Sequence, residues 1–341
     1  MTTAALDLEG LASWLEQNLP GFKGPLTAEK FNRGQSNPTF RLSAPSGAYV
    51  LRRKPPGVLL KSAHAVDREF RVQKALAATD VPVARMHVLC EDDDVIGSAF
   101  YIMDLVEGRN FDDPRIQDVD TATRSAIYDE MNRVLAAIHS VDLEAAGLAD
   151  YGPAGNYYRR QIDRWTKQYR ASETGTIAEM DQLIGWLDQN IPDDDGRRTL
   201  VHGDYRIDNM LFAKDSPECV AVLDWELSTL GHPFADLAAL IMQWHCPPGA
   251  EGRGLEGVDR KELGIPEDQA FVEAYCKRMG ISGIPEFGFY LAFCFFRMGA
   301  ILQGVKKRAL DGNASNPEQG LRLGKAVPGF AKGGLEAIQH G

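Results

Sequence analysis

The sequence predicts an α+β chain in two lobes, a small antiparallel β-sheet followed by a larger, mostly helical part. Three observations lead there. Between Lys30 and Gly108, short apolar stretches alternate with polar residues and are divided by turn residues, the pattern of half-buried strands. From Thr121 onward, apolar residues recur at helical spacing. The chain has 341 residues, 44% hydrophobic and 25% charged, enough to fill more than one core. The expected division is residues 1–103, a linker at 104–108, and 109–341.

Leu8, Leu11, Trp14, Leu15 and Leu19 predict a short amphipathic helix ended by Pro20-Gly21. Lys30–Leu42 reads as a hairpin, and Tyr49–Lys54 as the strand after a Ser46-Gly47 turn. Val50, Arg52 and Lys54 share one face of that strand, which turns cations inward. A helix over 63–77 follows, apolar at Val66, Phe70 and Leu76, with Glu69 near its middle. Residues 81–90 and 98–108 read as strands, with Glu91–Asp94 as a solvated acidic turn. Beyond the linker, Ile127, Met131, Val134, Leu135 and Ile138 form one stripe and Tyr158, Ile162, Trp165 and Tyr169 another. Further helices are expected at 180–187, 237–245, 268–279 and 285–310, and Asp311–Pro317 breaks the last. Arg160, Arg164 and Lys167 form a basic face, either solvated or part of a wall for an anionic substrate. His139 reads as structural.

A formal net charge of −11 excludes a nucleic-acid polymer as main partner, because phosphate binding needs a basic surface. A small anionic ligand needs only a local basic pocket. Five widely spaced cysteines without a CxxC predict reduced thiols. The first residues lack the basic and apolar regions of a signal peptide. No run of about 18 apolar residues stands out, so no membrane span is expected. These features predict a cytoplasmic protein.

The chemistry concentrates in Leu200–Asp236. There Val201-His202-Gly203-Asp204 is followed by Asn209, and a second apolar run ends in Asp224. The spacing His-x-Asp-x-x-x-x-Asn, then a strand and an Asp, is what phosphoryl-transfer sites use: one Asp accepts the acceptor hydroxyl's proton, while the Asn and second Asp hold metal ions on the nucleotide phosphates. His202, Asp204, Asp224, His232 and Asp236 also compose a two-metal ligand list, the reading of a metallohydrolase. Upstream, the loop Gly34-Gln35-Ser36-Asn37 either lets backbone N–H groups approach phosphates or is an ordinary hairpin turn.

Val201–Phe212, Val222-Leu-Asp-Trp-Glu226 and Gly231-His-Pro-Phe-Ala-Asp-Leu237 resemble the aminoglycoside phosphotransferase and choline-kinase-like family. More narrowly, they resemble the kinase-like domains associated with acyl-CoA dehydrogenases. The likeness extends to Gly34–Phe40, Tyr49–Gly57, Ser62–Phe70, Tyr128–Leu135 and Arg164–Tyr169. It implies a two-lobed protein-kinase-like fold and a kinase that uses ATP and Mg²⁺ on the hydroxyl of a small molecule. It implies Asp204 as catalytic base, His202 bracing its loop, Arg206 either balancing phosphate charge or steadying Asp204, and Asn209 and Asp224 as Mg²⁺ ligands. Arg52, Lys54, Glu69 and the loop Gly34, Gln35, Ser36 and Asn37 would hold the nucleotide phosphates, and Met103, Asp104, Leu105 and Val106 the adenine. Asp236 would be structural. Arg52 stands where the family has a lysine, with Lys54 as the other candidate. Asp-Phe-Gly and Ala-Pro-Glu are absent, which speaks against a protein kinase. The subgroup implies a hydroxyacyl-CoA or hydroxy acid as acceptor and a functional link to an acyl-CoA dehydrogenase. An aminoglycoside, and an inactive nucleotide-binding scaffold, are the alternatives.

Overall fold

The computed structural model of the chain describes residues 6–31, 37–55, 65–249, 252–314 and 316–340. Its N-terminal part is a five-stranded antiparallel sheet of β1 (Thr27–Lys30), β2 (Thr39–Ala44), β3 (Gly47–Arg53), β4 (Met86–Cys90) and β5 (Phe100–Asp104), in the order β1-β2-β3-β5-β4. Helix α1 (Leu8–Asn18) is capped by Asp7, whose carboxylate accepts from the Gly10 N–H. It covers one face of the sheet, packing Leu11, Leu15 and Leu19 on Leu42, Leu51, Phe100 and Ile102. Helix α2 (Val66–Leu76) covers the other, with Val66 and Phe70 against Met86, Ala99 and Tyr101. Because strand side chains alternate between faces, Leu51 points to α1 while Arg52, in register with Tyr101, points under α2.

The outer side of α2 belongs to a different core. Val72 and Leu76, with Val81 just beyond, pack among the buried residues of the helical lobe. The Val222 N–H donates to the Pro82 carbonyl oxygen at 2.8 Å. The strand expected over 81–90 is therefore confined to 86–90: its first residues cross to the second lobe, and Pro82 has no N–H to give a ladder. The strand expected over 98–108 is likewise shorter, and Glu69 sits in the first turn of the described α2, not near the middle of a helix.

The helical lobe comprises α3 (Thr121–His139), α4 (Tyr157–Ser172), α5 (Ala178–Gln189), α6 (Phe234–Trp244), α7 (Arg260–Leu263), α8 (Asp268–Met279), α9 (Phe287–Leu310), α10 (Pro317–Gly324) and α11 (Val327–His340). Two short antiparallel strand pairs interrupt it. One pairs β6 (Thr199–Val201) with β9 (Thr229–Gly231), the other β7 (Met210–Phe212) with β8 (Cys219–Val222). Helix α6 starts before its expected first residue, and α10 and α11 were not expected. Asn316 caps α10 by accepting from the Gln319 N–H, and Pro317 fills its first position, so the residues that break α9 also start the next helix. All five cysteines are buried free thiols.

Helix α9 is long and apolar enough, by length and composition alone, to cross a membrane, contrary to the expectation from sequence. Here it is the central helix of the lobe, packed against α4, α5, α6, α10 and α11. Phe293 and Phe296 are wholly buried on it. Phe293→Ala is expected to lower unfolding free energy by about 3–5 kcal/mol, measured by chemical denaturation. Phe31→Ala, at a 38% exposed position, should stay within about 0.5 kcal/mol of the parent.

Candidate active site

The loop leaving β6 carries His202, Gly203 and Asp204, and a buried carboxylate holds it. Asp236, in the first turn of α6, accepts from the His202 N–H at 2.6 Å and the Gly203 N–H at 2.8 Å. Burial opposes charge on Asp236, but the hydrogen bond from His139, the nearby His202 and the Gly203 N–H hold its pKa below the ordinary range. Gly203 has φ +86°, and a Cβ there would lie 2.6 Å from the Leu227 carbonyl oxygen, so only glycine fits. The His202 ring lies between two loops. Its Nε2 is 2.8 Å from the Leu223 carbonyl oxygen, which can only accept, so Nε2 carries the proton and Nδ1 accepts from the Asp204 N–H at 3.2 Å. Tyr205 anchors the loop from below by donating to the Met131 carbonyl oxygen at 2.7 Å.

Asn209 ends a short 3₁₀ turn, Ile207–Asn209. Its amide nitrogen donates to the Asp204 carbonyl oxygen at 2.8 Å and to Asp204 Oδ2 at 3.0 Å, which directs its amide oxygen away from Asp204. Arg206 Nε lies 3.2 Å from Asp204 Oδ1 and its Nη2 3.2 Å from Asp208 Oδ2. Asp208 is also paired with Arg253.

Asp224 follows β8 and heads the turn Trp225–Leu227, with φ +61° and ψ +59°. That left-handed conformation is uncommon outside glycine, though Asp tolerates it better than most residues. Its Oδ1 accepts from Arg52 Nη2 at 2.6 Å. Arg52 Nε is 2.8 Å from Glu69 Oε2, and Nη2 is 3.6 Å from Glu226 Oε2. Glu69 accepts further from Asn37 Nδ2 at 2.7 Å and the Tyr101 hydroxyl at 3.1 Å. Burial pushes the Glu69 carboxyl up to about 7, against the pull of Arg52. Burial also works against charge on Arg52, but Glu69, Tyr101, Asp224 and Glu226 together hold its pKa above the ordinary range.

The structure thus brings together His202, Asp204, Arg206 and Asn209 from one loop, Asp224 from a second, and Arg52, Glu69 and Asn37 from the sheet lobe. Lys54 stands apart: its Nζ approaches Asp67 at 3.9 Å. Met103 and Asp104 close β5, with Leu105 and Val106 after them. The Asp104 N–H donates to the Arg85 carbonyl oxygen at 2.9 Å, and its carboxylate pairs with His87 at 2.6 Å. Gly34, Gln35 and Ser36 lie outside the described residues. The residues of a two-metal hydrolase are not assembled: His232 turns to Asp195 at 3.4 Å and stacks on Tyr290, while Asp236 faces backbone N–H groups. Burial lowers the His232 pKa, against Asp195. Among the described residues no group of three or more His, Cys, Asp or Glu is placed to hold a metal ion. Asn209 and Asp224 still offer the hard oxygen donors that suit Mg²⁺, which takes one or two protein ligands and leaves its other positions to phosphates and water.

Sequence reasoning missed Arg297 and Arg253. Arg297 Nη2 donates to the Gly203 carbonyl oxygen at 3.0 Å. The signal was present, since a lone cation inside the apolar run Phe295-Phe296-Arg297-Met298 needs a polar partner. Other cations of α4 and α9 have partners: Arg159 pairs with Asp188 and Lys307 with Asp311, while Arg160 donates to loop carbonyls from Pro153 to Gly155.

Comparison with known proteins places this geometry. The profile described as "Phosphotransferase enzyme family" matches residues 27–277. Mouse acyl-CoA dehydrogenase family member 10 is 46% identical over 316 residues, covering 92% of this chain and 30% of its own length. Mouse acyl-CoA dehydrogenase family member 11 is 44% identical over 340 residues, covering 97% and 43%. The chain therefore spans less than half the length of these curated relatives. A crystal structure from Ralstonia eutropha JMP134, named a "putative aminoglycoside phosphotransferase", is 50% identical with a TM-score of 0.91, covering 98% of this chain and 99% of that one. Aminoglycoside phosphotransferase APH(4)-Ia, solved in a ternary complex with AMP-PNP and hygromycin B, shares the two-lobed kinase-like fold at 16% identity, with a TM-score of 0.62 over 96% and 98% of the two chains. This chain belongs to the phosphotransferase enzyme family.

Proposed function

We propose that the chain is a kinase that uses MgATP to phosphorylate a hydroxyl group of an acyl compound, either a hydroxy acid or a hydroxyacyl-CoA. The observation that carries the kinase reading is Arg52: a guanidinium from the sheet lobe lies between Glu69 and Asp224, so the two lobes meet at one cation. In this reading Asp204 orients the acceptor hydroxyl and takes its proton on a carboxylate oxygen. Asn209 fixes Asp204 through its amide N–H and presents its oxygen, with Asp224, to the metal. Arg206 and Arg52 offset negative charge on either side. Backbone groups of 103–106 hold the base. Bound MgATP supplies the transferable phosphoryl group and a divalent charge that offsets Asp224. The acceptor class is supported by relatives that carry an acyl-CoA dehydrogenase name, and we extend the proposal to a functional link with such an enzyme. The name of the Ralstonia structure favours a second reading, an aminoglycoside acceptor.

Asp204→Asn is expected to lower kcat by about 10²–10⁴-fold while MgATP binding, measured by calorimetry, changes little. Retention of full turnover would remove Asp204 from the chemistry. With MgATP, 3- and 4-hydroxyacyl-CoAs or the free hydroxy acids should be consumed, and choline and aminoglycosides should not. Turnover of aminoglycosides alone would establish the second reading.

Glu69 gives a pH dependence of known sign. Its pKa is about 7 in the folded protein, against an ordinary value of 4.5, so the folded state binds the proton more tightly. Its contribution to stability is full at low pH and declines as pH rises from about 4.5 to 7. The Tm of the parent relative to Glu69→Gln should fall across that window. A constant difference would show that Glu69 does not titrate there.

A further inference from the structure

We infer that Arg297, with Trp165 beside it, is the acceptor-binding group of the site, holding a carboxyl-derived oxygen of the substrate while its hydroxyl lies at Asp204. This inference rests on the kinase reading above and specifies its acceptor. Helices α4 and α9 run side by side in the same direction: Tyr158 packs on Phe289 and Phe293, Trp165 lies by Arg297, and the Ser172 carbonyl oxygen accepts from Gln303. Arg159 and Arg160 lie at one end of this pair and Lys306 to Arg308 beyond the other. At 1.5 Å per residue the ends are about 20 Å apart, too far to grip one small group. Arg164 and Arg297 lie in the middle, level with the catalytic loop.

The Arg297 guanidinium is half-buried and gives one N–H to Gly203. Among the described residues it has no carboxylate within ion-pair distance, and neither has Arg164. Both flank one indole, with Cζ to ring-centroid distances of 6.0 Å for Arg297 and 5.3 Å for Arg164. A guanidinium with five N–H donors and one carbonyl partner retains capacity for an anion or a carbonyl oxygen. Gly203 and Asp204 are adjacent, with Cα atoms about 3.8 Å apart. A group bound by Arg297 and a hydroxyl at Asp204 thus belong to the same short stretch of an acceptor. Leu227 lies close to Gly203, near enough that a Cβ there would meet its backbone, and its side chain is 52% exposed. Guanidinium, indole and exposed leucine around one catalytic peptide suit an apolar acyl chain with an oxygen-bearing head. A polycationic sugar would meet an unpaired cation there.

The test compares a 3-hydroxy fatty acid, its CoA thioester and the matching 2-alkanol, which keeps the secondary hydroxyl and has no oxygen at the acyl position, in the parent, Arg297→Gln and Arg297→Lys proteins. In Arg297→Gln, KM for the acid or the thioester should rise about 10- to 100-fold, the loss of a hydrogen bond to a charged group. KM for the alkanol and for ATP should stay within a factor of about two, and Arg297→Lys should restore part of the loss. An effect on the acid alone identifies a free carboxylate; an effect on the thioester identifies an acyl-CoA. Equal loss of kcat on all three acceptors, with KM unchanged, would overturn the inference and leave Arg297 a brace for Gly203. Calorimetry in the presence of MgADP covers an inactive preparation: failure of the parent to bind both acid and thioester would overturn the inference, while intact nucleotide binding would leave the kinase reading in place.

Discussion

One buried cation connects the parts of this molecule. Arg52, 12% exposed, faces Glu69 from its own lobe and Asp224 from the other. A buried guanidinium is costly unless paired, and removing one partner of such a group costs more than the pair contributes. The surroundings follow from that constraint. Tyr101 and Asn37 complete the hydrogen bonding of Glu69, α2 covers the face on which Arg52 lies, and Asp224 takes a left-handed backbone to reach it. The planar fork of arginine spans two carboxylates at once, which the point charge of a lysine does less well. That offers a physical reason for the residue at this position.

The second constraint is the carboxylate under the loop that carries His202, Gly203 and Asp204. Asp236 converts two backbone N–H groups into a fixed seat for Gly203 and Asp204, and His202 ties that seat to the strand leading to Asp224. Neither Asp236 nor His202 needs to touch a substrate to matter. They set where Asp204 and Asp224 stand relative to one another, and preorganisation of this kind determines rate in phosphoryl transfer.

Much of this was legible in the sequence because the relevant signals are local. The period-2 alternation put Arg52 on the face opposite Leu51, and His202, Asp204 and Asn209 lie within eight residues of one another. The missed features depend on distant parts of the chain. Arg297 meets Gly203 across 94 residues, and no spacing rule links them. Val81 and Pro82 read as strand by composition, but tertiary pairing with β8 took them elsewhere. Asp311–Pro317 was legible as a stop; that the same residues restart a helix depends on the Asn316 cap, a position-specific signal. Helix α9 was legible as a buried helix with a basic end, and its role as the centre of the lobe follows only from the five helices packed around it.

The two faces of α2 have a consequence for how the chain can be divided. One face closes the sheet and the other, through Val72 and Leu76, fills the core of the helical lobe. The linker expected at 104–108 is the obvious place to cut, and yet either fragment would lack a surface that the other supplies. The sheet lobe alone would present an apolar stripe to water, and the helical lobe alone would have a gap in its core. The unit that can be expressed as a stable piece is therefore both lobes together.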